Sequence, residues 1–220
     1  MSLDIAAYID HTALKPGTSM AEIDKLCLEA AMQRFAAVCV PLKYVSNAKK
    51  MLDGSGVKIA TVIAFPSGKG TPAEKKAEIE HAFSMGADEV DMVIDLCALK
   101  NGDMQQLEDE ITICLWPVKA LGKTIKLIVE SGILTEKELI ACCKLYSKYD
   151  IDFMKTSTGF AETGATVEAV QIMRANLPYH ISIKASGGIR TYEFAKELVD
   201  AGATRIGTSA GMSLVKELIG

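Results

Sequence analysis

The chain is poor in the residues from which many sites are built. It holds only three histidines, His11, His81 and His180, at spacings that suit no metal. A protein-bound metal centre is therefore not expected. The six cysteines form no C-x-x-C pair, and most lie in apolar patterns. They read as reduced packing thiols of a cytosolic protein. Cationic excess is missing too: 24 Lys and Arg against 28 Asp and Glu leave a net charge of -4, which argues against nucleic acid as a partner. No apolar run reaches the length of a membrane helix. No basic stretch followed by an apolar core opens the chain, so no export signal is expected and a cytoplasmic location is.

What is present is a regular alternation. Short apolar runs recur at residues 5–12, 35–40, 58–65, 89–95, 125–130, 152–155, 180–186 and 205–208. Such continuous runs suit strands buried on both faces, as in a parallel sheet. Helical patterns lie between them, with clear starts. Ser19 and Glu22 make a capping box. Thr71, Pro72 and Glu74 combine an N-cap, a first-turn proline and an early acid. A long helical stretch over residues 98–121 is expected to break near Pro117. A final helix is expected from Met212 to Ile219.

Eight strand–helix units in 220 residues, with no linker or low-complexity segment, predict one α/β domain over residues 1–220, a TIM (β/α)8 barrel. The alternative is a doubly wound open sheet. That fold usually carries G-x-G-x-x-G after its first strand, and none stands there.

The stretch Asp152-Phe153-Met154-Lys155-Thr156-Ser157-Thr158-Gly159-Phe160 puts a lysine near the end of a buried strand. Such a lysine is costly unless paired or reactive. The pattern returns in Ile181-Ser182-Ile183-Lys184-Ala185-Ser186-Gly187-Gly188. By strand parity Ser182, Lys184 and Ser186 share one face, and Ile181 and Ile183 the other. Asp10, Asp91, Glu130, Lys155 and Lys184 all fall near strand ends, and a barrel gathers such ends at one mouth. A lysine amine is a poor nucleophile at neutral pH because its pKa is about 10.4. Burial and a second cation both disfavour the charged form, which suits attack on a carbonyl. A carboxylate at Asp91 would serve as a proton relay. The turns Gly187-Gly188-Ile189-Arg190-Thr191 and Gly207-Thr208-Ser209-Ala210-Gly211 follow the seventh and eighth strands, where barrels often bind phosphate on backbone N–H groups. Cys39 reads as a core thiol, His11 as a structural residue and Lys69 as a solvated loop lysine. No partner for Glu130 can be named.

At these residues the chain resembles the deoxyribose-phosphate aldolase family. The resemblance runs through Asp10-His11-Thr12 with Leu14-Lys15-Pro16, Val38-Cys39-Val40, Phe65-Pro66, and Gly86 to Ile94. It continues through Lys155 to Phe160, Lys184 to Thr191, and Arg205 to Ser209. It implies a class I aldolase on a TIM barrel, without metal or cofactor. Such an enzyme reversibly cleaves 2-deoxy-D-ribose 5-phosphate to acetaldehyde and D-glyceraldehyde 3-phosphate. By similarity Lys155 forms the Schiff base, Lys184 lowers its pKa, Asp91 joins the proton relay and Asp10 orients Lys184. Gly159, Gly187, Gly188, Arg190, Gly207 and Ser209 fall on the family's phosphate positions. The implied partners are a small phosphosugar and acetaldehyde; the sequence leaves a homo-oligomer open.

Three positions depart from some members: Phe160 replaces a lysine, Ala210 replaces a serine, and Glu217-Leu218-Ile219-Gly220 carries no tyrosine. Phosphate grip is then expected to rest on Arg190 and backbone, with the tyrosine's help to proton transfer absent or supplied otherwise. Two other readings stand beside this one: another lysine-dependent phosphosugar aldolase, and a non-catalytic sugar-phosphate-binding barrel.

Overall fold

Eight parallel strands pair in sequence order, and the last closes on the first. The computed structural model describes residues 4–217. The strands are β1 (Ile9–Thr12), β2 (Ala37–Cys39), β3 (Lys58–Ile63), β4 (Glu89–Val93), β5 (Thr124–Ile128), β6 (Phe153–Lys155), β7 (Ser182–Ser186) and β8 (Arg205–Thr208). The helices are α1 (Met20–Gln33), α2 (Val45–Met51), α3 (Pro72–Ser84), α4 (Leu96–Lys100), α5 (Met104–Ala120), α6 (Glu136–Tyr146), α7 (Val167–Asn176), α8 (Tyr192–Asp200) and α9 (Gly211–Lys216). This is a (β/α)8 barrel. Among the described residues no helix is long and apolar enough to cross a membrane.

Strand parity divides the core in two. Val90 and Met92 of β4, Ile125 and Leu127 of β5, and Ile183 and Ala185 of β7 join the apolar layer between barrel and helices. Burial of that layer is the main drive for folding. The intervening residues turn inward, and several carry charge: Glu89, Asp91, Lys126, Lys155 and Lys184 are all buried. Helix starts follow their caps. Ser19, Thr71 and Thr135 each accept from the backbone three residues on, and Glu22, Glu74 and Glu138 complete three capping boxes. A cap of this kind contributes about 1 kcal/mol.

The elements differ from the sequence expectation in four places. Residues Ile5–Tyr8 form a 3-10 turn, so β1 starts at Ile9. β3 stops at Ile63 because Ala64 takes a left-handed conformation, φ 52°, which ends pleating. The long helical stretch breaks at Gly102, φ 72°, and Asp103 caps the next helix by accepting from Gln106 N at 3.0 Å. α5 then runs through Pro117, which is buried; a proline removes one hydrogen bond, and burial of the surrounding face outweighs that loss. The final helix is Gly211–Lys216, and residues 218 and 219 lie outside the described residues.

Candidate active site

Register brings the scattered charges to the barrel axis. Lys155 pairs across the sheet with Lys184, Lys184 with Arg205, and Asp91 with Lys126. Asp10 of β1 stands opposite Gly207 of β8. The side chains at these positions form a closed ring of alternating charge. Asp91 Oδ2 accepts from Lys184 Nζ at 2.7 Å. Lys184 also binds Asp10. Asp10 Oδ1 accepts from Arg205 Nε at 2.7 Å, and Arg205 Nη2 donates to Glu89 at 2.9 Å. Glu89 accepts from Lys126 Nζ at 2.5 Å, and Lys126 returns to Asp91 Oδ1 at 2.8 Å. Lys155 hangs from this ring, donating to Asp91 Oδ2 at 2.8 Å.

The ring depends on one missing side chain. A Cβ at Gly207 would lie 2.9 Å from Ser186 Cβ and 3.1 Å from Lys184 Cε. Glycine there leaves Lys184 the space to lie across the barrel.

Burial and neighbours set the proton states. Burial is the largest influence on Lys155 and lowers its pKa; Asp91 opposes this and Lys184 adds to it, leaving the amine below an ordinary lysine. Burial also presses on Lys184, but Asp10 and Asp91 prevail and hold it charged, above the ordinary value. Burial alone would raise the Asp91 carboxyl. The ammonium groups of Lys126, Lys155 and Lys184 overcome this and hold it well below the carboxylate range. Cys39 is fully buried, and burial, then Asp91, push its thiol up to about 11. It turns into the barrel rather than into the apolar shell.

Above the ring opens a cavity of about 450 Å³. Lys155 lines it, as do Gly159, Gly187, Gly188, Arg190, Gly207 and Ser209. Lys184, Asp91 and Asp10 do not reach it; they lie in the ring beneath. The loops after β6 and β7 touch backbone to backbone. A Cβ at Gly187 (φ 90°) would lie 3.0 Å from Gly164 Cα and 3.2 Å from Gly159 Cα. The loop after β7 leads into α8, whose N-cap Thr191 accepts from Phe194 N through its side chain. The opposite wall is the segment His11 to Lys15 with Glu22 and Glu29 of α1. There His11 Nε2 lies 2.9 Å from Glu29 Oε2, tying β1 to α1. Phe160 packs edge-on against Phe65, with ring centroids 5.2 Å apart. Lys69 is exposed and is not part of the cavity wall.

Sequence reasoning missed four of these groups or their partners. Glu130 takes φ 53°, ends β5 and accepts from Thr158 Oγ1 at 2.5 Å, which fixes the loop after Lys155. Lys126, Glu89 and Arg205 complete the ring. Lys126 carried the same signal as Lys155, a cation inside an apolar strand.

The comparisons agree with this geometry. A family model described as DeoC/LacD family aldolase matches residues 5–217. A deoxyribose-phosphate aldolase of Streptococcus pneumoniae is 46% identical over 210 residues, covering 95% of this chain and 94% of the relative. One from a Geobacillus species is 46% identical over 217 residues, covering 98% and 96%. Among solved structures, a tetrameric deoxyribose phosphate aldolase of Aeropyrum pernix superposes with a TM-score of 0.91 at 28% identity, covering 98% of this chain and 91% of that one.

Proposed function

Because the chain belongs to the DeoC/LacD family of aldolases, we propose that Lys155 is the Schiff-base lysine of a class I aldolase cleaving 2-deoxy-D-ribose 5-phosphate to acetaldehyde and D-glyceraldehyde 3-phosphate. One observation carries the assignment. Of the lysines joined to the ring, Lys155 alone lines the cavity, and the one carboxylate it meets among the described residues is shared with Lys184 and Lys126. An amine so placed is accessible and weakly held as ammonium.

The neutral Lys155 amine adds to the C1 aldehyde of the open-chain sugar. Loss of water gives an iminium, which withdraws electrons from C2. Deprotonation of the C3 hydroxyl then breaks the C2–C3 bond, and glyceraldehyde 3-phosphate leaves. The enamine that remains is protonated at C2, and hydrolysis frees acetaldehyde and the amine. Lys184, kept protonated, and Asp91, kept ionised, stand beside the reacting nitrogen as donor and acceptor. A carboxylate held this far down is a weak base, so Asp91 works mainly by holding both amines in place while cavity water carries the proton. Asp10 holds Lys184 from the other side. The phosphate is assigned to Arg190 and to backbone N–H groups of the glycine turns at Gly159, Gly187, Gly188 and Gly207, with Ser209 beside them.

The test is reduction with borohydride in the presence of acetaldehyde, followed by peptide mapping. The expected product is a stable mass adduct on Lys155. A barrel that merely binds sugar phosphates would show none. A substrate panel separates this reaction from that of another phosphosugar aldolase, since only the first releases acetaldehyde.

A further inference from the structure

The ring beneath Lys155 contains three carboxylates, Asp10, Glu89 and Asp91, and three cations, Lys126, Lys184 and Arg205. It is neutral by itself. Lys155 is a fourth cation attached to a balanced set. We propose that this ring sets the proton state of Lys155 by charge count, with Lys126, Glu89 and Arg205 as positioning residues that act on the amine through Asp91 and Asp10.

Every ring member is buried except Arg205, which is 12% exposed. Water therefore screens the set weakly, and an unmatched charge inside it is expensive. Protonated Lys155 gives the interior one surplus positive charge; the free amine leaves it neutral. Across the open cavity stand His11, Lys15, Glu22, Lys25, Glu29 and Arg190, unchanged in every variant below; the charged or titratable groups around the amine inside the barrel come from six strands. They are Asp10 on β1, Cys39 on β2, Glu89 and Asp91 on β4, Lys126 on β5, Lys184 on β7 and Arg205 on β8. β3 offers only Lys58 at its exposed start. The thiol stays protonated and does not enter the count. The lowered pKa of Lys155 agrees with this balance. The same balance acts on the reaction, where the iminium restores the surplus charge and the enamine removes it. The ring thus favours the cleaving direction of electron flow over a resting iminium.

This inference rests on Lys155 being the nucleophile. The test follows the pH dependence of borohydride trapping with acetaldehyde on the intact chain, read by mass at Lys155. Lys126→Met and Arg205→Gln each remove a cation and should move the trapping midpoint up by about one pH unit, a roughly tenfold smaller neutral fraction. Glu89→Gln removes an anion and should move it down by a similar amount. Arg205→Lys keeps the charge and should leave the midpoint in place. Should a single variant fail to fold, Glu89→Gln with Arg205→Gln restores the count and should return the midpoint to that of the unaltered chain. An adduct on Lys155 whose midpoint stays fixed in all of these, or moves the same way in Glu89→Gln and Lys126→Met, overturns the charge count alone. Absence of any adduct on Lys155 in the unaltered chain overturns the nucleophile reading, and this inference with it.

Discussion

Two buried lysines in this molecule have similar depth and opposite situations. Lys75 of α3 is 1% exposed and pairs with Glu110 of α5, also 1% exposed. Its amine also donates to Val93 O at 2.9 Å, and Glu110 accepts from Asp95 N at 3.1 Å. One cation meets one carboxylate, the remaining donors and acceptors reach backbone, and the pair clamps the end of β4 from outside the barrel. Lys155 is 3% exposed, yet the one carboxylate it meets among the described residues also serves Lys184 and Lys126. It also faces a cavity, which Lys75 does not. Burial alone does not make a lysine reactive. On the role proposed for Lys155, a shortage of counter-charge and an opening to the cavity do.

Four changes would break or sharpen that contrast. Lys155→Ala should remove turnover, by on the order of 10⁴-fold or more, since the covalent step has no substitute. Steady-state release of glyceraldehyde 3-phosphate measures this, and a variant with near-normal rate would end the assignment. Lys184→Leu should cost about 10²-fold in kcat and shift the rising limb of the pH–rate profile upward. The sign follows from charge: Lys184 lowers the pKa of Lys155, so removing it raises that pKa and the free amine appears at higher pH. An unmoved profile would contradict the role given to Lys184.

Lys75→Met should act on stability instead. It strands the Glu110 carboxylate and should cost about 3 kcal/mol, read by urea unfolding, with kcat of the folded fraction changed less than a few-fold. Pairing it with Glu110→Leu should recover most of that loss. Large kcat effects from this pair would erase the contrast between the two lysines. Gly207→Ala should have the smallest effect, about 1–3 kcal/mol, because its Cβ meets Ser186 and Lys184 Cε. A kcat loss smaller than that of Lys184→Leu, with a small shift in the pH profile, would show Lys184 displaced rather than removed.

Much of the barrel was legible in the sequence because its signals are local. Alternating strand and helix patterns, the capping box at Ser19, the N-cap at Thr71, and the parity that turns Lys184 inward while Ile183 turns out need only a few neighbouring residues. The ring was legible only in part: Asp10, Asp91 and Lys184 were expected together, but not their closure through Lys126, Glu89 and Arg205. Its contacts join positions as far apart as Asp10 and Arg205, 195 residues away, and which inward charge meets which depends on register. Lys126 shows the limit well: parity turns it inward, but nothing in its own strand names Glu89 and Asp91 as its partners. The helix break was misplaced for a related reason. Proline is disfavoured in a helix wherever it stands, whereas a buried seam such as that between α5 and α3, where Cys114 Sγ approaches Pro72 O at 3.7 Å, can hold the helix together through it.

The seam between β1 and β8 bears on how the enzyme comes into being. It joins Asp10 of the first strand to Arg205 of the eighth. A chain with only its first seven strands paired would hold Lys155, Lys184 and Asp91 without the guanidinium that completes their surroundings. Closing the barrel therefore completes the charge set around Lys155 in the same step that docks the eighth strand on the first.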